Sequence, residues 1–366
     1  MVNLQDVHTA NKHLVTSRDL VCVSAGGTAG IGETTLRQLA STSGSEPNAK
    51  ALRVYIITRK LDVAKALIAD LKESCPKGDF IPVECSDLTL LTIVDRTCDE
   101  IMQLERQRVG DQAKIDLVIL SQGFFDPFNP RKDTSEGLDP RVSLHFYSRM
   151  KIIYRLLPLL TARAPGDEPA QIISVYAGGH EQSGKMFADD LSLRDPKHWG
   201  FANARATIVH MKTMFFEHLA NDHPGRLSLV HVYPGLVITP NFKTTMKPPN
   251  PLWFRALMWT MLPIAKMTIN VPLPESGQRT LFLASARYPA YVDGQKEPRT
   301  TSNGLPIASS TNGVLGGGAY SCDAKDEIND VSKAFAKLRP AGFYDKVWDH
   351  VMDVFKTVEA GRVYQS

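Results

Sequence analysis

The run Ser24-Ala-Gly-Gly-Thr-Ala-Gly-Ile-Gly32 packs its glycines at the spacing Gly26-x-x-x-Gly30-Ile31-Gly32. Residues without a Cβ at that spacing let a turn approach a pyrophosphate closely, and a helix opening at Ile31 rests the anion on its free N–H groups. Gly26, Thr28, Gly30, Ile31 and Gly32 are the expected contacts. Further on, VYIITRK sets Arg59 and Lys60 where an acidic residue would bind a free adenosine ribose. A guanidinium there grips a 2′-phosphate bidentately, so the cofactor expected is NADP(H) rather than NAD(H).

These residues need a scaffold, and the hydrophobic pattern supplies one. After an amphipathic leader, short apolar runs at 19–27, 53–58, 80–85, 115–120, 171–176 and 227–233 read as strands. Between them, 31–39, 61–74, 88–106, 138–160 and 201–221 read as helices. A last strand at 319–322 and a helix around 343–357 follow a turn-rich stretch, EPRTTSNGLPIASSTNGVLGGG. Strands alternating with helices imply right-handed crossovers and an α/β Rossmann-like doubly wound parallel sheet with helices on both faces, plus lid helices and a C-terminal helical extension. The expected division is one dinucleotide-binding domain over 1–290, with an apolar lid at 240–273, and an extension over 291–366 packed on the same domain.

The totals fit that picture. A chain of 366 residues, 43% hydrophobic and 22% charged, suits one large α/β core. A formal charge of +3 with no basic stripe argues against nucleic acid and for a small-molecule partner. Five scattered cysteines without metal-ligand spacing fit a reducing compartment. The start, MVNLQDVHTANKHL, lacks the pattern of a secretory signal, so a cytoplasmic location is expected. No metal is expected: the histidines are dispersed, and Asp189-Asp190 reads as a solvated turn or helix cap.

The glycine spacing resembles the TGxxxGIG fingerprint of the short-chain dehydrogenase/reductase family, with Ala25 replacing the usual Thr. Ser86-Asp87-Leu88 resembles the family's Asp-Leu beside adenine. Ser121-Gln122-Gly123 stands at its Asn-Ala-Gly turn, and Pro234-Gly235-Leu236-Val237-Ile238-Thr239 resembles the PGxxxT segment that meets the nicotinamide carboxamide. The resemblance covers roughly residues 18 to 290. It adds Asp87, Leu88, Ser121, Gly123, Pro234, Gly235, Val237 and Thr239 to the cofactor candidates. GGTAGIG, TSEGLD, HFYSRM, SVYAGG, DDLSL, VYPGLVIT and Val347-Trp348-Asp349-His350 look like a fungal branch tied to secondary metabolism, which implies tailoring of a polyketide or terpenoid.

The family reduces carbonyls with a Tyr proton donor, a Lys, a Ser and a helical Asn, and here the sequence departs from it. The Ser position falls on Val175 or Ala177 according to register, with Ser174 turned into the sheet. Tyr and Lys become Phe201 and Arg205 in one register, or Asn203 and Thr207 in the other; the Asn becomes His145. An alkoxide formed at neutral pH needs a nearby acid. Candidates at the strand ends are Tyr176, His180 and Tyr233, joined by His145, Asn203 and Arg205. Arg205 cannot titrate and would anchor a ribose or phosphate. A literal YxxxK, Tyr147 to Lys151, lies on the helix before the fifth strand; with Tyr154 it reads as a stripe toward solvent or a partner subunit.

PLWFRALMWTMLPIAKM, in the lid, is too short and charged to span a bilayer. It suits an apolar pocket, a second subunit or a peripheral membrane contact. The function expected is an NADP(H)-dependent reductase of a natural-product carbonyl or enone with a non-standard proton donor. The alternatives are a redox-neutral isomerase, dehydratase or cyclase on the same fold, and a non-catalytic cofactor-binding protein.

Overall fold

The structure, a computed structural model, describes residues 2–128, 130–164, 166–240, 247, 250–268, 270–294, 300–301 and 304–365. Residues 241–246, 248, 249 and 269 of the expected lid, and 297–299, 302 and 303 of the turn-rich stretch, lie outside the described residues.

Helix α1 (Leu4–Ser17) is capped by Asn3, whose side chain accepts from the Asp6 amide. There follow β1 (Leu20–Ala25), α2 (Gly30–Ser45), β2 (Leu52–Thr58), α3 (Leu61–Ser74), β3 (Asp79–Glu84), α4 (Leu91–Val109) and β4 (Leu117–Leu120). A short helix α5 (Pro140–Val142) runs through a π-helical segment, Ser143–Tyr147, into α6 (Ser148–Leu160). Then come β5 (Ala170–Val175), α7 (Phe201–Asp222), β6 (Leu227–Val232), α8 (Leu252–Thr268), α9 (Leu273–Phe282), β7 (Ala319–Cys322), α10 (Ser332–Phe335) and α11 (Phe343–Glu359).

The seven strands form one sheet in the order β3-β2-β1-β4-β5-β6-β7, and every pair is parallel. Alternation along each strand divides the core. Val21, Val23, Val118 and Ile172 face the layer of α4, α6, α7 and α11, whereas Cys22, Ile119 and Ile173 face α1, α2 and α9. With both faces covered, β1, β4, β5, β6 and β7 are buried throughout, which is why they read as unbroken apolar runs. The chain doubles back between β1 and β4, and that reversal opens a crevice at the carboxyl ends of the central strands.

Two local outcomes differ from the pattern. The helix expected over 31–39 runs on to Ser45 through a Ser/Thr/Gly stretch, because Gly44 lies against the Ser74 carbonyl at the end of α3; a Cβ there would sit 1.8 Å from that oxygen. The Tyr147–Lys151–Tyr154 stripe, expected to face solvent or a partner subunit, packs against α11. Tyr147 and Lys151 are fully buried. The Tyr147 hydroxyl meets His350 Nε2 at 2.7 Å, Lys151 pairs with Glu359 and, at 3.2 Å, with Asp95, and Tyr154 packs on Trp348 and Phe355. The stripe binds the last helix to the core. Tyr147→Phe should therefore lower the unfolding free energy by about 1–2 kcal/mol while turnover holds; a melting curve beside a steady-state assay checks both, and lost turnover in a fully folded variant would refute this structural role.

Candidate active site

The glycine turn is built as its spacing demands. Gly26 has φ +84°, and a Cβ on it would lie 2.5 Å from the Gln122 nitrogen. Gly32 likewise leaves no room, since its Cβ would fall 2.4 Å from the Gly26 oxygen. Gly30 opens α2 facing the Thr239 methyl at 3.0 Å, so the Pro234–Thr239 segment beyond β6 closes over the loop from the far side. The Ala29 cap offers no side-chain acceptor, so no capping side chain among the described residues competes with an anion at the start of α2. Arg59 and Lys60 are exposed at the end of β2. Ser121 is tied to β1 by its amide, 2.9 Å from the Ala25 oxygen, and Asp87 holds the Thr89 amide and hydroxyl at 2.8 Å each. Leu88 is buried in the core, and Gly123 is pressed by the His145 ring, which a Cβ would approach to 2.5 Å.

Beside this crevice lies a cavity of about 290 Å³. Residues beyond β4, β5 and β6 wall it, among them Phe124, Phe125, Tyr176, Tyr233 and Val237, and α7 adds Phe201, Ala204, Arg205 and Ile208. Its polar side chains include Tyr176, Tyr233, His145, Arg205 and the pair Arg141–Asp126. His145 reaches it from the π-helical turn, whose extra residue re-aims the side chain.

Tyr176 is the centre of this floor. Its ring stacks on His145 at 4.7 Å and lies nearly parallel to His231 at 6.3 Å. Beneath it sit Lys212, with Nζ 4.9 Å from the ring centre, and Arg149 at 5.9 Å. Arg149 is buried without a carboxylate partner among the described residues; it donates to the Ser174 hydroxyl (2.9 Å), the Val175 carbonyl (2.8 Å) and the Gln122 carbonyl. Ser174 thus points into the sheet layer, as its place in β5 implies.

The surroundings fix the protonation states. Burial, assisted by Arg149, drives His145 down to about 3. Its Nε2 stands 3.0 Å from the Phe124 carbonyl and must carry the proton, so Nδ1 is a buried acceptor without a partner among the described residues. His231 is pushed far down by burial, then by Lys212; its Nε2 accepts from the Ala177 amide at 3.1 Å. Burial lowers Lys212 well below its ordinary value, with Arg149 adding to the shift, and its amine has no hydrogen-bond partner among the described residues. Burial pushes Tyr176 up to about 12, against the pull of Arg205 and Arg149. Burial thus keeps Tyr176 protonated and His145 neutral at pH 7 and disfavours the charged forms of His231 and Lys212, around the buried Arg149 guanidinium.

Of the candidates read from the sequence, Tyr176, His145, Arg205 and Tyr233 line the cavity. His180 stands at its edge, its ring 4.3 Å from that of Tyr233, and its pKa is lowered by burial and by Arg205. Asn203 is outside the lining, with both amide ends engaged: Oδ1 accepts from the Lys185 amide and Nδ2 donates to the His198 carbonyl. Thr207 is buried within α7. Arg149, Lys212 and His231 were missed. The signal for Arg149 was its place one turn after His145; for Lys212, it was a lone Lys in the apolar run IVHMKTMFF.

Across 354 residues the chain is 35% identical to Short-chain dehydrogenase/reductase SAT2 of Stachybotrys chartarum, covering 96% of each. The chain belongs to the short-chain dehydrogenase/reductase family. It is also 35% identical to Oxidoreductase AN1596 of Emericella nidulans, over 96% of this chain and 97% of that one. No family model matches. Among solved structures, levodione reductase superposes with a TM-score of 0.53 at 18% identity, over 73% of this chain and 91% of that one. The L-sorbose reductase of Gluconobacter frateurii, described with NADPH and L-sorbose, gives 0.53 at 19%, over 75% and 93%. These two show a shared fold.

The unpaired amine carries a measurable consequence. Because the folded-state pKa of Lys212 lies below its unfolded value, the unfolded chain binds the extra proton and stability rises with pH through that interval. Lys212→Met should remove this slope and raise the unfolding free energy near pH 6 by on the order of 1–3 kcal/mol. Denaturant titrations at pH 6 and pH 9 measure it, and a variant weaker at both would mean that the amine has a stabilising partner.

Proposed function

We propose that this protein is an NADP(H)-dependent reductase of an apolar natural-product carbonyl or enone, with Tyr176 as the proton donor. One observation carries the reading: a neutral tyrosine closes the floor of an apolar cavity at the carboxyl ends of the strands, beside the glycine loop. The loop fits the cofactor. The cradle at Gly26 and Gly32 is one a Cβ would fill, no capping side chain among the described residues competes at the start of α2, and Arg59 is exposed at the ribose end. Gly26, Thr28, Gly30, Ile31 and Gly32 would hold the pyrophosphate, Arg59 and Lys60 the 2′-phosphate, Asp87 and Leu88 the adenine, and Ser121, Gly123 and the Pro234–Thr239 segment the nicotinamide half.

When bound, the cofactor supplies a hydride to the substrate's electrophilic carbon. The chain's own residues do the rest. Tyr176, kept protonated by burial, gives its proton to the oxygen that becomes negative, while the positive field of Arg205 and Arg149 favours the phenolate left behind. His145 lines the pocket beside Tyr176 and helps shape the seat of the substrate. Phe124, Phe125, Phe201 and Ile208 exclude water. A volume near 290 Å³ sits at the small end of ligand pockets and suits a compact ring system.

A redox-neutral reading has one observation in its favour. Phe201 and Arg205, rather than a Tyr and a Lys, line the pocket from the start of α7, while Tyr176 and His145 form an acid–acceptor pair with rings 4.7 Å apart. Consumption of NADPH separates the two. Tyr176→Phe should lower kcat about 10²- to 10⁴-fold with NADPH affinity unchanged; full activity in that variant would transfer the role to another group. Arg59→Ala should weaken NADPH far more than NADH in a calorimetric titration, and equal losses would sink the 2′-phosphate assignment.

A further inference from the structure

The outward side of α8 is apolar where a solvated helix would be polar. Leu252 is 75% exposed, Trp253 62%, Trp259 74% and Ile264 57%, with Leu257 and Met261 also open. The inward stripe of Phe254, Met258 and Leu262 is only half-buried. A helix apolar on both sides requires cover on both. The charges say what the cover is. No Asp or Glu occurs between Asp222 and Glu275, and within Lys247–Thr268 the charged residues are Lys247, Arg255 and Lys266. A second copy placed isologously would bring like charges together in a desolvated contact. An anionic bilayer surface offers acyl chains to the exposed aliphatic groups, an interfacial layer to the tryptophans and counter-charge to the lysines. No helix among the described residues is long and apolar enough to cross a membrane, so the contact lies in the surface plane.

We propose that α8 docks this protein on an anionic membrane surface and opens its pocket there to a lipophilic substrate. The patch adjoins the segment that carries part of the cavity wall. Trp253 and Phe254 meet the Phe128 ring at 5.7 and 4.8 Å, Phe125 meets Phe201 at 5.2 Å, and Phe124, Phe125 and Phe201 line the cavity. Phe128, which α8 touches, and the cavity-lining Phe124 and Phe125 belong to the same segment after β4. Docking rests on α8 alone; only the substrate's route rests on the function proposed above.

Vesicle flotation of the full chain, without cofactor or substrate, tests docking independently of catalysis. Phosphatidylcholine vesicles containing 30% phosphatidylserine, as the probe, should bind the chain, with tryptophan emission shifting to the blue; pure phosphatidylcholine should bind it much less. Lys247→Glu with Lys266→Glu should weaken binding by at least about fivefold per charge, and Trp259→Glu should abolish it, with NADPH affinity unaltered in both. Absence of binding to either vesicle overturns the proposal. So does a wild-type dimer in solution that Trp259→Glu converts to monomer, since a second copy would then be the cover.

Discussion

A guanidinium buried at the end of a parallel sheet must find acceptors, and Arg149 finds them in the Gln122 and Val175 carbonyls and the Ser174 hydroxyl. An unpaired buried cation costs several kcal/mol, so the loops beyond β4 and β5 are held at the positions that satisfy it. Those loops carry Phe124, Phe125 and Tyr176, the cavity's floor and wall. The same charge sets the titration of its neighbours. After burial, Arg149 is the next cause lowering His145 and Lys212, and it also bears on His231 and Tyr176. Burial and this one fixed cation together disfavour the charged forms of the surrounding bases.

The sheet explains why those groups meet. In an all-parallel arrangement every carboxyl strand end points the same way, so side chains from β4, β5 and β6 converge although they are separated by dozens of residues. The helical layer adds the rest by breaking its own regularity. Ser143–Tyr147 widens to π geometry between α5 and α6, and His145 uses that extra residue to reach the pocket while Tyr147 stays on the face toward α11.

The fold was legible because burial on both faces leaves strands as unbroken apolar runs and glycine leaves a spacing; α3 and β7 occupy the residues expected of them. The site was only partly legible. Tyr176, His145 and Arg205 could be found by asking which polar residues follow a strand or open a helix, but periodicity cannot say which way a side chain leaves a helix end. Asn203 and Arg205 are two residues apart, and the backbone turns one to the segment at Lys185 and the other to the cavity. Arg149 and Lys212 lay inside apolar helical stripes, where a single polar residue carries no period of its own. The motif most visible to a pattern search, Tyr147 to Lys151, is absorbed by contacts with a helix two hundred residues away.

Some of the unmet hydrogen-bonding groups are near neighbours. Lys212 Nζ, His231 Nδ1, His145 Nδ1 and both amide atoms of Gln122 are buried without partners among the described residues, and their side chains belong to the Tyr176 neighbourhood or to the loop that Arg149 holds. A core selected for stability alone would replace such groups with apolar ones of similar volume, since each unmet group costs about 1–3 kcal/mol. Those that lie near this one phenol fit a floor whose polarity serves Tyr176. The tyrosine is held protonated by burial and surrounded by groups that answer a charge only when one develops.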